Sequence, residues 1–417
     1  MSKQISAGEL LLYSLGMGEC GAATELAHRE LEQLTSSGWD EVIRGAMACN
    51  VAPLLYHRLK AFNLDGVMPM DAGRKLRESY LCNAVKNMKL YQDLSRVARA
   101  FQSNGLPVMV LKGAHLAKVV YGNIALRKMC DLDLLVKESD LPGAIRILLD
   151  MGYSPVDPFT DEDIALLRLP VFIRENATPI EIHWHIKYAN TPFFIDIDGL
   201  WERARPVVIN DVQMLVLSPE DLILHLCLHA AHHILKIGLR PFCDLFEAIS
   251  HYRNEIDWEQ VRLRSRKWKM DRPLSLMFHL LGEFSGKPEL KELINVLEVN
   301  PVGADLVPGL REHIIMKLNS PSLPTFHLTN FWTSRGLKGK AAFLQKSIFP
   351  SRQYMAKRYH LRSDSKRVYF YYLVRLHDAF LRYRPVVWRL CLRDREMTAL
   401  IKVDSRQIAT QKWLMSV

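Results

Sequence analysis

The distribution of hydrophobic and polar positions separates helical flanks from a mixed central region. Apolar residues recur at helical spacing within 39–60 and 84–101, and neither stretch has residues at catalytic spacing. In the centre, 107–111 is a continuous apolar run and 179–186 alternates apolar with polar residues. Both central patterns are typical of β-strands. We therefore predict a helical N-terminal block that leads into a core containing a sheet.

Between these two strands, the segment 111–136 has a strand–helix–strand pattern. The first apolar run ends at Lys112-Gly113, and 114–121 has the composition of a short helix. An apolar strand then returns over 130–136. The pattern predicts a glycine-containing turn and a short helix between two strands of the core.

Two acidic residues on the returning strand indicate a candidate functional site. Asp131 and Asp133 are two residues apart, so both carboxylates would face one side of the strand. Adjacent acids repel and raise each other's pKa unless a cation lies between them. The pair therefore predicts a divalent cation, and carboxylate oxygens favour Mg²⁺ or Mn²⁺.

A third acid lies on the alternating strand 179–186. The period of two places Glu181 and His183 on one face of the strand, and the apolar residues, with Trp184, on the other. Glu181 is therefore the candidate third carboxylate of the site.

The order of these residues resembles a known superfamily. A strand followed by Lys112-Gly113, a helix, Arg127 and then Asp131-Leu-Asp133 is similar to the nucleotidyltransferases of DNA polymerase β type. The closer resemblance is to the bacterial nucleotidyltransferase family proteins. Superfamily members commonly have Gly-Ser or Gly-Gly after the first strand, where this chain has Lys-Gly-Ala. The distance from Gly113 to Asp131 is also longer here than in most of them.

The resemblance extends to the third acid and implies a fold and a reaction. The bacterial group has an acid-x-His-Trp sequence, most often with Asp, where this chain has Glu181. The implied fold is α+β, a polymerase β-type palm with a small mixed sheet embedded in helical N- and C-terminal blocks. The implied reaction is metal-dependent transfer of a nucleoside monophosphate from an NTP, such as ATP, to a hydroxyl-type acceptor, with release of pyrophosphate.

The resemblance also implies roles for individual residues. Asp131, Asp133 and Glu181 would be the catalytic residues and the ligands of Mg²⁺ or Mn²⁺. The side chains expected to contact the nucleotide are Lys112, Gly113, Arg127 and His183. Among these, Arg127 would make a bidentate phosphate contact, and Gly113 would let a helix N-terminus approach phosphate.

The length of 417 residues predicts several parts. We predict a helical block over 1–101, a nucleotidyltransferase core over 102–205 and a second helical block over 206–300. The remainder, 301–417, is predicted to be a linker, up to about residue 330, followed by basic, aromatic helices over 343–359 and 366–392. Residues 311–417 contain 21 Lys/Arg and 6 Asp/Glu, a net charge of +15 in a chain of net +10. A basic tail of this kind is suited to peripheral contact with an anionic surface. The alternative is that it forms a solvated helical surface without a partner.

Several features bear on location and partners. The seven cysteines are scattered without CxxC pairs, and the N-terminus lacks a secretory pattern. No apolar run is long enough to span a bilayer. We therefore predict a cytoplasmic protein without a transmembrane segment. The acceptor is expected to be a small molecule, a peptide or a protein rather than nucleic acid.

Three histidines lie on the helix that follows Ser218-Pro219. His225, His229 and His232 share one face of this helix. We interpret them as a wall of the substrate cleft or as hydrogen-bonded packing residues, in preference to an independent metal centre.

Two other functions fit part of the pattern. A glycosyltransferase could use the Asp-x-Asp pair to hold Mn²⁺ and a nucleotide-sugar, but this leaves Lys112-Gly113 and Glu181 without a role. A catalytically inactive palm that binds nucleotide or a partner would fit the altered glycine motif.

Overall fold

The computed structural model describes most of the chain, namely residues 6–17, 28–64, 66–160, 164, 167, 169–187, 191–233, 238–285, 287–298, 306–319, 355, 367–391, 410 and 413–414. The chain divides into two compact units, Met1–Asn319 with Leu414–Val417, and Ser320–Trp413. The first unit contains the sheet, and all candidate site residues lie in it.

The first unit also contains helices. In chain order they are α1 (Ala7–Leu12), α2 (Ser36–Ala48), α3 (Ala52–Ala61), α4 (Met70–Ser103), α5 (Lys112–His115), α6 (Leu141–Asp150), α7 (Ile197–Glu202), α8 (Pro219–His232), α9 (Arg240–His251), α10 (Trp258–Lys267), α11 (Asp271–Ser285), α12 (Pro288–Val296) and α13 (Leu306–Asn319). A π-helical turn, Leu116–Val120, extends α5, and a 3₁₀ turn, Glu138–Asp140, precedes α6.

The sheet is mixed and has seven strands in the described residues. They are β1 (Met109–Val110), β2 (Leu132–Leu135), β3 (Ser154–Pro155), β4 (Phe172–Ile173), β5 (Ile180–His183), β6 (Arg205–Ile209) and β7 (Val212–Val216). Their order in the sheet is β3-β4-β5-β2-β1-β7-β6. Strand β2 pairs antiparallel with β1 and parallel with β5, so the two acid-bearing strands are direct neighbours that run in one direction.

The hydrophobic core lies between one face of the sheet and helices α4 and α6. Leu132 and Leu134 of β2 and Ile180 of β5 are fully buried there, together with Leu94 of α4 and Leu148 of α6. Because side chains alternate along a strand, burial of these residues turns the polar positions of β2 and β5 to the opposite face. The core thus aligns the strands and leaves the acids facing away from it.

Helix α4 also fixes the segments that flank the acids. Buried Asp93 accepts hydrogen bonds from the backbone N–H and hydroxyl of Thr178, at 2.8 and 2.9 Å, just before β5. Buried Asn87 donates to the carbonyl oxygens of Ile124 and Arg127, at 2.5 and 2.8 Å. These bonds satisfy buried polar groups of two loops at once. They hold both loops in a defined position beside β2.

Most predicted elements are present, with shifted boundaries. The α+β class is confirmed, and so are the strands around 107–111, 130–136 and 179–186. The stretch 39–60 is helical as predicted and forms two helices, which Asn50 separates with a positive φ of 58°. The sheet continues past residue 205 through the hairpin β6–β7. Helix α13 lies in a segment that was predicted to be a linker.

In the second unit, the predicted helix over 366–392 is confirmed as α14 (Val368–Cys391). The other predicted C-terminal helix, 343–359, lies outside the described residues except for residue 355. In the part of the chain that is described, no helix combines the length and apolar character required to cross a bilayer.

Candidate active site

Parallel pairing of β2 and β5 brings two of the predicted acids side by side. Asp133 and Glu181 are partners in the register of the two strands, so their side chains leave the sheet on the same face. Glu181 keeps 37% of its side chain exposed, whereas Asp133 keeps 11%. One carboxylate of the pair is therefore enclosed and the other open to ligands.

A lysine and a histidine converge on the enclosed acid. The Nζ of Lys112 and the Nε2 of His183 each lie 2.9 Å from Oδ1 of Asp133. His183 Nε2 also lies 3.7 Å from Oε2 of Glu181. Lys112 reaches this position from a turn with a positive φ of 36°, a conformation that non-glycine residues seldom adopt and that is commonest at functional sites.

The neighbouring charges give the two paired acids opposite properties. Burial acts to raise the pKa of Asp133, but Lys112 and His183 outweigh it, and the pKa lies well below its ordinary value. Burial and then the charge of Asp133 raise the pKa of Glu181. Asp133 is thus a permanent anion at neutral pH, while Glu181 is a stronger base than an exposed glutamate.

Asp131 lies beside this pair but before the strand. Strand β2 begins at Leu132, so the alternation that predicted one shared face does not extend through Asp131. Burial and the charge of Asp133 raise the pKa of Asp131, while Lys112 and Arg127 act in the other direction. Asp131 therefore shares the electrostatic environment of the site, and its role as a metal ligand stays a prediction.

Arg127 is buried and bound to a carboxylate that the sequence did not identify as its partner. Its Nε and Nη2 each donate to Asp244, at 2.9 Å, in a bidentate pair. The hydroxyl of Tyr121 donates to the same carboxylate, also at 2.9 Å. The pair ties the loop before β2 to helix α9. A phosphate contact by Arg127 stays a prediction, and the structure shows it as an anchor of the site loop.

Gly113 owes its place to close packing. A Cβ at this position would lie 3.0 Å from Nη1 of Arg127 and 3.1 Å from Sδ of Met129. A Cβ here would therefore require the side chain of Arg127 or Met129 to shift by a few tenths of an ångström. The glycine allows the close approach of α5 to the site loop, and its predicted contact with phosphate stays a prediction.

Helix α8 forms a further wall beside the site. His225 is buried, and burial followed by the charge of Lys112 lowers its pKa to about 3. Burial and Lys112 also lower the pKa of His229. Both imidazoles are neutral at pH 7 and lie close enough to Lys112 and Asp133 to interact with them. The helix begins where the sequence predicts, because Ser218 caps it through the N–H of Asp221.

The donor atoms at the site suit a divalent cation. Asp133, Glu181 and His183 can each offer one ligand atom, and these atoms lie within 4.8 Å of one another. Two carboxylate oxygens with one imidazole nitrogen form a set that Mn²⁺ accepts readily, and Mg²⁺ accepts the oxygens. Both contacts of Asp133 with Lys112 and His183 use Oδ1, so Oδ2 of Asp133 is left for a cation, whereas coordination by Nε2 of His183 would replace its contact with Asp133.

Comparison with known proteins gives one family and one solved structure. A family model described as an uncharacterised nucleotidyltransferase matches residues 35–286, which include the whole candidate site. No curated protein matches the chain. The solution structure of the antibiotic-resistance factor ANT(2″)-Ia is similar at 13% identity and a TM-score of 0.32, over 43% of this chain and 92% of the other. A similarity this distant carries no argument about substrate.

Proposed function

Since the chain belongs to this family of uncharacterised nucleotidyltransferases, we propose that it transfers a nucleoside monophosphate from an NTP to a hydroxyl-bearing acceptor and releases pyrophosphate. The observation that carries the proposal is the cluster of Asp133, Glu181 and His183 on one face of β2 and β5, with Lys112 against it. Such transfer depends mainly on positioned anions and cations, because the protein does little covalent chemistry.

The residues of the site would have three roles, namely metal binding, contact with the phosphates and proton transfer. Asp131, Asp133 and Glu181 would hold Mg²⁺ or Mn²⁺, with His183 beside them, and the bound ion would stabilise charge on the phosphates. Lys112 would contact the leaving pyrophosphate. Glu181, whose pKa is raised, would take the proton of the acceptor hydroxyl as its oxygen bonds to the α-phosphorus and the bond to the β-phosphate oxygen breaks.

Product analysis with two labels tests the proposal. The protein is incubated with Mg²⁺, cell extract and each NTP, labelled either at the α- or at the γ-phosphate. Transfer predicts the α-label on a new product and the γ-label in pyrophosphate. A glycosyltransferase would instead release a nucleoside diphosphate from a nucleotide-sugar. Tight binding of NTP without any labelled product would support an inactive palm and contradict the proposal.

Metal affinity is expected to rise with pH over the acidic range. Burial raises the pKa of both Glu181 and Asp131 above their ordinary values, so their protonated forms persist to higher pH than those of exposed acids and compete with the cation. Calorimetric titration with Mn²⁺ between about pH 4.5 and 7.5 should show tighter binding at higher pH, with protons released on binding.

The Glu181→Gln variant is the control for this titration. It removes a titrating ligand while keeping the shape of the side chain. We expect weaker Mn²⁺ binding and a smaller dependence on pH than in the wild type. An affinity of the wild-type protein that does not change over this range would contradict the assignment of these carboxylates as ligands.

A further inference from the structure

Lys112 is in contact with the acids of the site, although its proposed role lies with the nucleotide. Its Nζ is 2.9 Å from Oδ1 of Asp133, and the two side chains are only 13% and 11% exposed. In the described part of the chain, no other lysine or arginine forms an ion pair with Asp131, Asp133 or Glu181. The ammonium of Lys112 is therefore the counter-ion of these acids.

The charge of Lys112 acts on all three acids. Burial raises the pKa of Asp131, Asp133 and Glu181, and the ammonium opposes this effect at each of them. A divalent cation held by the same carboxylates would lie only a few ångströms from the ammonium, and like charges at that distance repel each other. A free oxygen on Asp133 does not remove this repulsion. Lys112 and a metal ion therefore compete for the same negative charge.

Lys112 can leave Asp133 at a lower cost than the other cation of the site could leave its own partner. Arg127 donates twice to buried Asp244, so moving it would leave a buried carboxylate without its cation. Asp133, in contrast, has a second partner, because Nε2 of His183 also lies 2.9 Å from its Oδ1. Asp133 therefore keeps a hydrogen-bond partner when the ammonium moves away.

The backbone at Lys112 is held in place while its side chain is long and flexible. The N–H of Leu111 donates to the carbonyl of Asp133 at 3.0 Å, which fixes the chain directly before Lys112. Lys112 itself has a φ of 36°, and a sparsely populated conformation of this kind persists only where the surrounding structure imposes it. A change of partner therefore requires rotation of the lysine stem, without movement of β2 or α5.

We propose that Lys112 exchanges Asp133 for the phosphates of the nucleotide, and that this exchange makes tight metal binding depend on the nucleotide. The inference rests on the proposed function, since the triphosphate supplies the second partner of the lysine. Without nucleotide, the ammonium neutralises part of the acidic charge and weakens the binding of a free divalent ion. With nucleotide, the ammonium pairs with phosphate, and the acids offer their full charge to the metal. By linkage, the bound metal strengthens nucleotide binding to the same extent.

Metal binding without phosphate tests the first half of the exchange. Mn²⁺ is titrated into the full chain, and the free ion is measured by electron paramagnetic resonance. Lys112→Met removes the ammonium and keeps an unbranched side chain, so we expect it to bind Mn²⁺ about tenfold more tightly than the wild type. Lys112→Arg keeps the charge and should bind as weakly as the wild type.

A matched control removes a lysine in the same helical segment. The side chain of Lys118 is exposed on the π-helical turn that extends α5. Because water and salt screen this charge from the acids, Lys118→Met should change the affinity for Mn²⁺ by less than about twofold. A general effect of net charge would appear in both lysine variants, whereas the proposed competition appears only in Lys112→Met.

Metal binding with a polyphosphate tests the second half of the exchange. The probe is the Mn²⁺ complex of tripolyphosphate, which has the phosphate chain common to all NTPs and no base. The wild type should bind this complex more tightly than it binds free Mn²⁺. Lys112→Met lacks the phosphate contact and should bind the complex about tenfold more weakly than the wild type. The variant thus binds the free ion better than the wild type and the complex worse.

A structural ion pair without exchange gives a different result. If Lys112 only holds Asp133 in position, Lys112→Met binds the free ion and the complex more weakly, and the inference is overturned. It is also overturned if this variant binds free Mn²⁺ no more tightly than the wild type, or if the wild type binds the complex no better than the free ion. Circular dichroism checks folding, and Lys112→Gln, which keeps a polar side chain beside Asp133, replaces Lys112→Met in both titrations should that variant not fold.

Binding and turnover separate this inference from the proposed function. The titrations contain no NTP and measure no product. The reversed order of affinities in a protein that transfers no nucleotide would leave the exchange standing and contradict the proposed function. Nucleotide transfer by the wild type, together with an affinity for free Mn²⁺ that Lys112→Met does not raise, would contradict the exchange alone.

Discussion

Replacing Asp133 with Asn is expected to lower the rate of nucleotide transfer about 10³-fold, as loss of a metal ligand removes several kcal/mol of charge stabilisation. Asp133 is the anion on which Lys112 and His183 converge, and its partner in the sheet is Glu181. The substitution removes the charge but keeps the size of the side chain. Pyrophosphate release from the NTP, measured with saturating Mg²⁺, is the readout.

A matched substitution controls for effects on folding. Asp211→Asn makes the same change in the exposed β6–β7 turn, where φ is 61° and Asn is well suited to the backbone. This variant should retain wild-type activity, and both variants should show wild-type circular dichroism. An Asp133→Asn variant that keeps a tenth or more of the wild-type rate would remove Asp133 from the catalytic residues.

Replacing Asp244 with Asn is expected to lower the free energy of unfolding by about 3–5 kcal/mol, the usual effect of removing one partner from a buried ion pair. The side chains of Arg127 and Asp244 are only 9% and 6% exposed, so the remaining guanidinium would be charged and without its partner. Tyr121 would also lose its carboxylate acceptor. Urea unfolding followed by tryptophan fluorescence measures the change.

The control for this prediction is an ion pair on the surface of the protein. Glu259→Gln removes the exposed partner of Arg262 and should leave the unfolding midpoint nearly unchanged. The double variant Arg127→Met with Asp244→Asn should recover part of the loss, because it leaves no buried charge. If the Asp244→Asn variant unfolds at the same urea midpoint as the wild type, the Arg127–Asp244 pair does not hold the site loop.

Local patterns in the sequence predict the elements of this fold better than their pairing. Alternation predicted that Glu181 and His183 share a face, and the structure has them on one face of β5. The contact between Asp133 and Glu181 depends on the parallel register of β2 and β5, which no local pattern encodes. Arg127 finds Asp244 across 117 residues for the same reason.

One missed element did have a local signal. Strands β6 and β7 are joined by Asn210-Asp211, and both residues have positive φ, 48° and 61°. A two-residue turn of this kind between alternating segments is characteristic of a hairpin. For Asp131 the local pattern was misleading. Strand β2 begins at Leu132, one residue after Asp131, so alternation along the strand does not determine which way the Asp131 side chain faces.

The parallel pairing of β2 with β5 also has a consequence during synthesis. The register joins Leu132 to Ile180, 48 positions later in the chain, so the whole segment between the two strands must leave the ribosome before β5 can pair with β2. Long-range pairing of this kind forms slowly, since the intervening loop must close first. A nascent chain therefore displays Asp133 without Glu181 for this period, and the centre assembles only once the crossover is complete.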